Sequence, residues 1–275
     1  MTTTLPTIAI IGAGSMGGAI LGGLLSPDVH VSGGIRVTNR TTAKAELVAA
    51  PGVTSYALAI TPDANLQAVR GAAIVLLGVK PTMIRATLAE IAPALDASAL
   101  VISVAAGITI EAMEAAVPNA VLRAMPNTPA LVGRGVTGLA AGTRSTAQQL
   151  ELGRALFETV GTVLEIPESQ IDALSTISGS GPAYVFLLIE ELTSTAVRRG
   201  FTPEQASMMV NETFGGAVEL LAASDKTPAQ LRLQVTSPKG TTERAVAELQ
   251  SADLGGVFDR ATAAALARAR ELAAS

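Results

Sequence analysis

The opening run TIAIIGAGSMGG constrains the chain more than any other stretch. Thr7–Ile11 is short and apolar, Gly12, Gly14 and Gly17 follow in G-x-G-x-x-G spacing, and a helical pattern runs from Ser15 to Leu25. A strand that turns over three glycines into a helix is the start of a β-α-β unit built to hold a dinucleotide. Gly12 supplies the tight turn and Gly14 lets the backbone approach a pyrophosphate. The helix's first N–H groups and its positive dipole end face the anion.

The rest of the first half repeats the alternation. Ile35–Asn39, Val53–Tyr56, Ala73–Val79 and Leu100–Ala106 read as strands, with helical patterns at 15–25 and 42–49. The last two are continuous apolar runs, as expected of strands buried on both faces. AVLRAM (120–125) and VTGLAA (136–141) follow, then a helix over 147–160 and the run TVLEI (162–166). The pattern predicts an α/β chain with an N-terminal Rossmann-type, doubly wound, mainly parallel sheet. Beyond Pro167 strands cease, and helices are expected at 169–199, 203–223, 228–233, 238–250 and 254–273. Two domains are therefore expected: 1–165, dinucleotide-binding, and 166–275, all-helical.

Composition removes whole classes of chemistry. Among 275 residues there is no cysteine and one histidine, His30, which reads as a loop residue. Disulfides, thiolate nucleophiles and thiolate metal sites are excluded, no metal is expected, and any Ser-His-Asp triad would have to run through His30. The formal charge of −4 offers nucleic acid no basic footprint and no charge run suits a membrane surface. The opening residues have no basic segment before the apolar run, so no signal peptide is expected, and the apolar runs are too short to span a bilayer. A cytoplasmic protein is the expectation.

The second strand ends in VTNRTT. An acid there would bond the ribose hydroxyl of NAD; this chain has Asn39, Arg40 and Thr41 instead. Arginine accommodates the extra phosphate of NADP, so NADP(H) is expected in preference to NAD(H), unless Arg40 is simply solvated. Two later strand ends, Gly78-Val79-Lys80-Pro81 and Val104-Ala105-Ala106-Gly107, should also line a cofactor, because ligands sit at the carboxyl ends of parallel strands. Lys80 is equally a cofactor contact or a lysine in solvent at a helix start.

Three further loops, MPNTPA (125–130), SGSGPAY (178–184) and VTSPKGTT (235–242), complete an ordered set that resembles the pyrroline-5-carboxylate reductase family from about Thr7 to Ala267. The resemblance implies reduction of the cyclic C=N bond of Δ1-pyrroline-5-carboxylate to L-proline with NAD(P)H, the last step of proline synthesis. It also implies that Ile11, Gly12, Ala13, Gly14, Ser15, Met16, Arg40, Asn65 and the two later strand ends meet the cofactor. Gln234 stands where the family has a cofactor-proximal asparagine. Around Gly240 and Thr241 the backbone would hold the substrate carboxylate, with the Thr242 hydroxyl at the ring nitrogen as the catalytic contact. Asp225 matches an acidic position near the substrate, and Glu168 would lie near the cofactor. The C-terminal helices would interlock across a two-fold axis, giving a homodimer that assembles further, commonly to a decamer.

Local chemistry fits these roles. Ser237 is a good N-cap and Pro238 a good first helical residue, so the amides of 239–242 would open a helix as an anion site. Lys239 replaces a family glycine, which argues against a positive φ there; its side chain either adds a cation or points to water, and water is the usual outcome. In SGSGPAY, Gly181-Pro182 would start a second helix aimed at the nicotinamide–substrate pocket, or mark a simple kink between core helices. The competing readings are a β-hydroxyacid dehydrogenase, a reductase of another imine, and a non-catalytic NADP-binding regulator. The first would place a lysine about one turn after the central glycine motif, and GSGPAYVFLLIEEL has none.

Overall fold

The computed structural model describes residues 2–274. They form two compact units, residues 2–180 with 266–274 and residues 181–265.

The first unit carries strands β1 (Thr3–Leu5), β2 (Ile8–Ile11), β3 (Val29–Val31), β4 (Ile35–Asn39), β5 (Val53–Ala57), β6 (Ile74–Leu77), β7 (Leu100–Ser103), β8 (Ala120–Met125), β9 (Gly135–Ala141) and β10 (Gly161–Glu165). Eight form one sheet in the order β10-β9-β8-β7-β6-β2-β4-β5, parallel throughout except where β9 meets β8. Register pairs Ile11 with Thr38 on one side and with Leu77 on the other, so the ends of β2, β4 and β6 meet. Here the strand order reverses, and such a switch point opens a crevice beyond the carboxyl ends.

Helices α1 (Ser15–Leu24) and α6 (Ala147–Glu158) contribute to the core on one face of the sheet with Ile8, Ile10, Ile74, Leu76 and Ile102. On the other face α3 (Ala64–Val69), α4 (Ile84–Ile91) and α5 (Ile110–Ala116) bury Ala9, Ile11, Val75, Leu77 and Val101. Alternate residues of each strand enter opposite cores, which is why these runs are apolar without interruption. Helix α2 (Thr42–Leu47) is capped by Thr41, whose Oγ1 accepts from the Lys44 amide.

Three expectations are corrected. His30 is not in a loop: it is an exposed residue of β3, which pairs with β1 in a separate two-stranded parallel sheet. The helix expected from Gly181-Pro182 does begin there, but it grows out of a wide turn rather than following a break. After α7 (Ile171–Leu174), residues Ser175–Gly179 form a π-helical turn, closed by Ser180 N donating to Ser175 O at 2.9 Å, and α8 (Gly181–Arg198) follows directly. Asn127 of the MPNTPA loop secures this turn: its Nδ2 donates to Ser178 O (2.9 Å) while its Oδ1 accepts from Val136 N (2.8 Å).

The third correction lies in the second unit, which holds α8, α9 (Pro203–Ala222), α10 (Pro228–Gln234), α11 (Thr241–Ser251) and the first part of α12 (Leu254–Ala274). Thr202 caps α9 in a reciprocal box with Gln205, with Pro203 at the first helical position. Ser237-Pro238, in contrast, does not start α11. Lys239 has φ +61, a left-handed conformation that no α-helical turn accepts, and Gly240 N closes a tight turn onto Ser237 O at 3.0 Å. The helix begins at Thr241, with Gly240 as its N-cap. The positive φ that a lysine argues against is present.

Candidate functional site

The crevice at the switch point is a cleft of about 490 Å³. Its floor is the glycine turn. Gly12 has φ +86, and a Cβ there would stand 2.8 Å from Val79 Cγ1, so only glycine lets the two strand ends approach this closely. Gly14 is the N-cap of α1, without a side-chain cap, and a Cβ added to it would meet no protein atom within 4 Å. The space above Gly14 is therefore open, beside amides with no intrahelical partner, and these residues fit a bound pyrophosphate. Gly14→Ala should fold almost as the parent, losing about 1 kcal/mol or less at an N-cap. Its methyl would occupy the anion's space, so NADPH should bind at least about tenfold more weakly by fluorescence titration; unchanged affinity would place the pyrophosphate elsewhere.

Of the residues expected at the cofactor, Ile11, Gly12, Gly14, Asn39, Arg40, Asn65, Gly78, Val79 and Lys80 line this cleft. Arg40 is exposed, and Asn39 is buried with its Nδ2 3.4 Å from Lys44 O. Ala13 and Ala105 are buried in the two cores, and Met16 and Val104 pack against one of them. Ser15 is the exposed first residue of α1. Lys44, Thr87 and Glu90 also line the cleft and were not anticipated.

A second cavity of about 350 Å³ opens beside the first, with Lys80 common to both, and takes in Pro81, Ala106, Met125, Asp172 and Ser175. Its wall includes Arg123, a buried arginine in β8. Arg123 Nη1 lies 3.3 Å from Glu168 Oε1 and Nη2 2.6 Å from Asp172 Oδ1. Glu168 Oε1 also accepts from the Ile110 amide at 2.7 Å, tying α5 to the same network. The sign was legible in AVLRAM, where one charge interrupts an otherwise apolar strand. Pro81 and Ala106 belong to this cavity rather than to the cleft.

The residues expected at the substrate, with Gln234, lie in the second unit. Asp225 is exposed between α9 and α10, and Gln234 is the exposed last residue of α10. Gly240, Thr241 and Thr242 form the opening of α11, which has no side-chain cap. Lys239 N donates to Glu243 Oε2 at 2.8 Å and Gly240 N to Ser237 O, so both amides are spoken for. The expected run of donors from 239 to 242 shrinks accordingly to the amides from Thr241 onward.

Sheet order, glycine turn and cleft define a Rossmann-type dinucleotide-binding protein. The family described as "Pyrroline-5-carboxylate reductase dimerisation" matches residues 168–272, and that described as "NADP oxidoreductase coenzyme F420-dependent" matches residues 7–107. A pyrroline-5-carboxylate reductase of Corynebacterium melassecola is 40% identical over 273 residues, 98% of this chain and 99% of the relative. A solved pyrroline-5-carboxylate reductase of Coxiella burnetii has a TM-score of 0.87 at 35% identity, covering 96% of this chain and 97% of that one. The Plasmodium falciparum pyrroline carboxylate reductase, solved with NADP bound, has a TM-score of 0.81 at 27% identity, covering 97% and 98%. The chain belongs to the pyrroline-5-carboxylate reductase family.

Proposed function

We propose that the chain reduces Δ1-pyrroline-5-carboxylate to L-proline, the last step of proline biosynthesis, using NADPH. The observation that carries this reading is the opening of α11: a helix N-terminus without a side-chain cap, in which a threonine hydroxyl accompanies free amides. When bound, the cofactor supplies the hydride. The Thr241 and Thr242 amides hold the substrate carboxylate, and the Thr242 hydroxyl meets the ring nitrogen as the C=N electrons move onto it. An iminium already accepts hydride, so neither a nucleophile nor a strong base is required, and positioning supplies much of the rate. Asp225 stands near the substrate and Gln234 near the cofactor in this reading. Ala13, Ser15, Met16 and the 104–106 strand end are further cofactor contacts. Division at residue 165 leaves all cofactor contacts but Gln234 in the first domain and all substrate contacts in the second.

The test is direct. Purified protein with pyrroline-5-carboxylate and either NADPH or NADH should consume the reduced nicotinamide, followed by its near-ultraviolet absorbance, with matching formation of proline. NADPH bound but consumed with no imine would leave a binding protein instead. NADPH should be preferred, and Arg40→Ala should remove the preference, raising KM for NADPH about tenfold and leaving KM for NADH nearly unchanged. Equal use of both cofactors by the parent would sink that assignment.

Assembly belongs to the same proposal. Val185, Phe186, Leu187, Leu188 and Leu192 of α8 and Met208, Val218 and Leu220 of α9 are exposed in the single chain, far more apolar surface than a monomer leaves bare. A homodimer formed through these helices covers it, and a decamer is the further assembly. Sedimentation of a monomer would refute both. Among the described residues no helix is long and apolar enough to cross a membrane, and the proposed compartment is the cytoplasm.

A further inference from the structure

Asn65 holds a polar atom that the protein leaves bare. The residue is 6% exposed, and its Oδ1 is buried without a hydrogen-bond partner. Its Nδ2 lies 3.1 Å from both Glu90 Oε1 and Oε2. Both residues line the cleft, and α3, which carries Asn65, packs on β2 and β4. Strand β4 ends at Asn39, just before Arg40, so this is the adenosine side.

A carboxylate accepts hydrogen bonds and cannot donate them. Glu90 therefore dictates which way the Asn65 amide faces: the NH₂ turns to Glu90 and the carbonyl oxygen turns away. What the pair presents is acceptors only, namely that oxygen and the carboxylate's unused lone pairs. A bare buried acceptor is destabilising and marks a place where a donor is missing. An exposed acid would also repel the phosphates of a dinucleotide, so its presence in the cleft calls for a role.

We propose that Glu90 is a positioning residue of the cofactor site, which locks the Asn65 amide so that its carbonyl oxygen accepts a hydrogen bond from the adenosine half of NADP(H). The donor is either the adenine amino group or a ribose hydroxyl. This rests on the cofactor reading of the cleft.

The test measures NADPH affinity of the full-length protein by fluorescence titration, with kcat and KM beside it. Glu90→Ala frees the amide and should weaken NADPH binding about tenfold, with the loss in KM for NADPH and not in kcat. Glu90→Gln still offers Asn65 an acceptor and should bind within about threefold of the parent. The hypoxanthine analogue of NADPH, which lacks the amino donor, separates the two sources. With the amino group as donor, the parent binds the analogue about tenfold more weakly and Glu90→Ala no longer discriminates. With a ribose hydroxyl, the parent binds both alike and Glu90→Ala weakens both. Parent-like affinity in Glu90→Ala, or a Gln variant as weak as the Ala one, overturns the proposal. A parent protein that binds no NADPH overturns the cofactor reading and this inference with it, whereas NADPH binding that responds to Gly14→Ala and Arg40→Ala but not to Glu90→Ala overturns this inference alone.

Discussion

Thr242→Ala is expected to lower kcat/KM for pyrroline-5-carboxylate by about 10²–10³-fold, most of it in kcat. Thr242 sits in the first turn of α11, half-buried. Alanine keeps the backbone amides proposed to hold the carboxylate, so substrate should still bind. What disappears is the hydroxyl proposed to meet the ring nitrogen, where charge changes as hydride arrives at the neighbouring carbon. An interaction that strengthens only in the transition state is lost from kcat rather than from KM. NADPH affinity should stay within about threefold, because the glycine turn proposed to hold the pyrophosphate is untouched. Thr242→Ser should recover most of the rate. Full turnover in the alanine variant would remove Thr242 from the site.

Arg123→Ala should give the largest loss of stability, about 2–3 kcal/mol. The guanidinium is buried and bonded to two carboxylates, each side chain about a third exposed. Without it, Glu168 and Asp172 lose the counter-charge they share. Their partial exposure screens some of the repulsion, which is why the expected loss stays below that of a fully buried pair. For a chain of this size the melting temperature should fall by roughly 4–12 °C. Combining Arg123→Met with Glu168→Gln and Asp172→Asn should return much of the loss, since neutral groups of similar shape replace an ion network without leaving charge behind. A fall below about 1 kcal/mol in chemical denaturation would mean that water already screens the network.

The parts of this protein legible in sequence are those governed by short-range rules. Thr7–Gly17 reads correctly because strand, turn and helix N-terminus each leave a residue-level mark, and the buried strands read correctly because both faces are apolar. β1 and β3 leave no such mark: each is three residues long, and Thr3 and Thr4 pair with Val29 and His30 across a gap that no local pattern records. The Arg123 network joins residues 45 and 49 positions apart. Its arginine was visible as an anomaly, but its partners were not. At Ser237-Pro238 the local rules were satisfied and still lost, because the next residue turned left-handed. The π turn at Ser175–Gly179 falls on Ser-Thr-Ile-Ser-Gly, a stretch weak enough in helix propensity to mark an irregularity but not to distinguish a wide turn from a kink.

Lys239 carries one more consequence. A left-handed lysine costs roughly 1–2 kcal/mol more than a right-handed one, so the loop before α11 keeps its course against the preference of the residue in it. The shape is imposed by the turn from Ser237 to Gly240 and by the Lys239–Glu243 bond, not by the side chain at 239. Glycine and lysine can then exchange at this place without moving the helix that follows. A relative with glycine here would differ from this chain in letter and not in backbone, and a search for this loop by backbone geometry would find a member that a search by glycine misses.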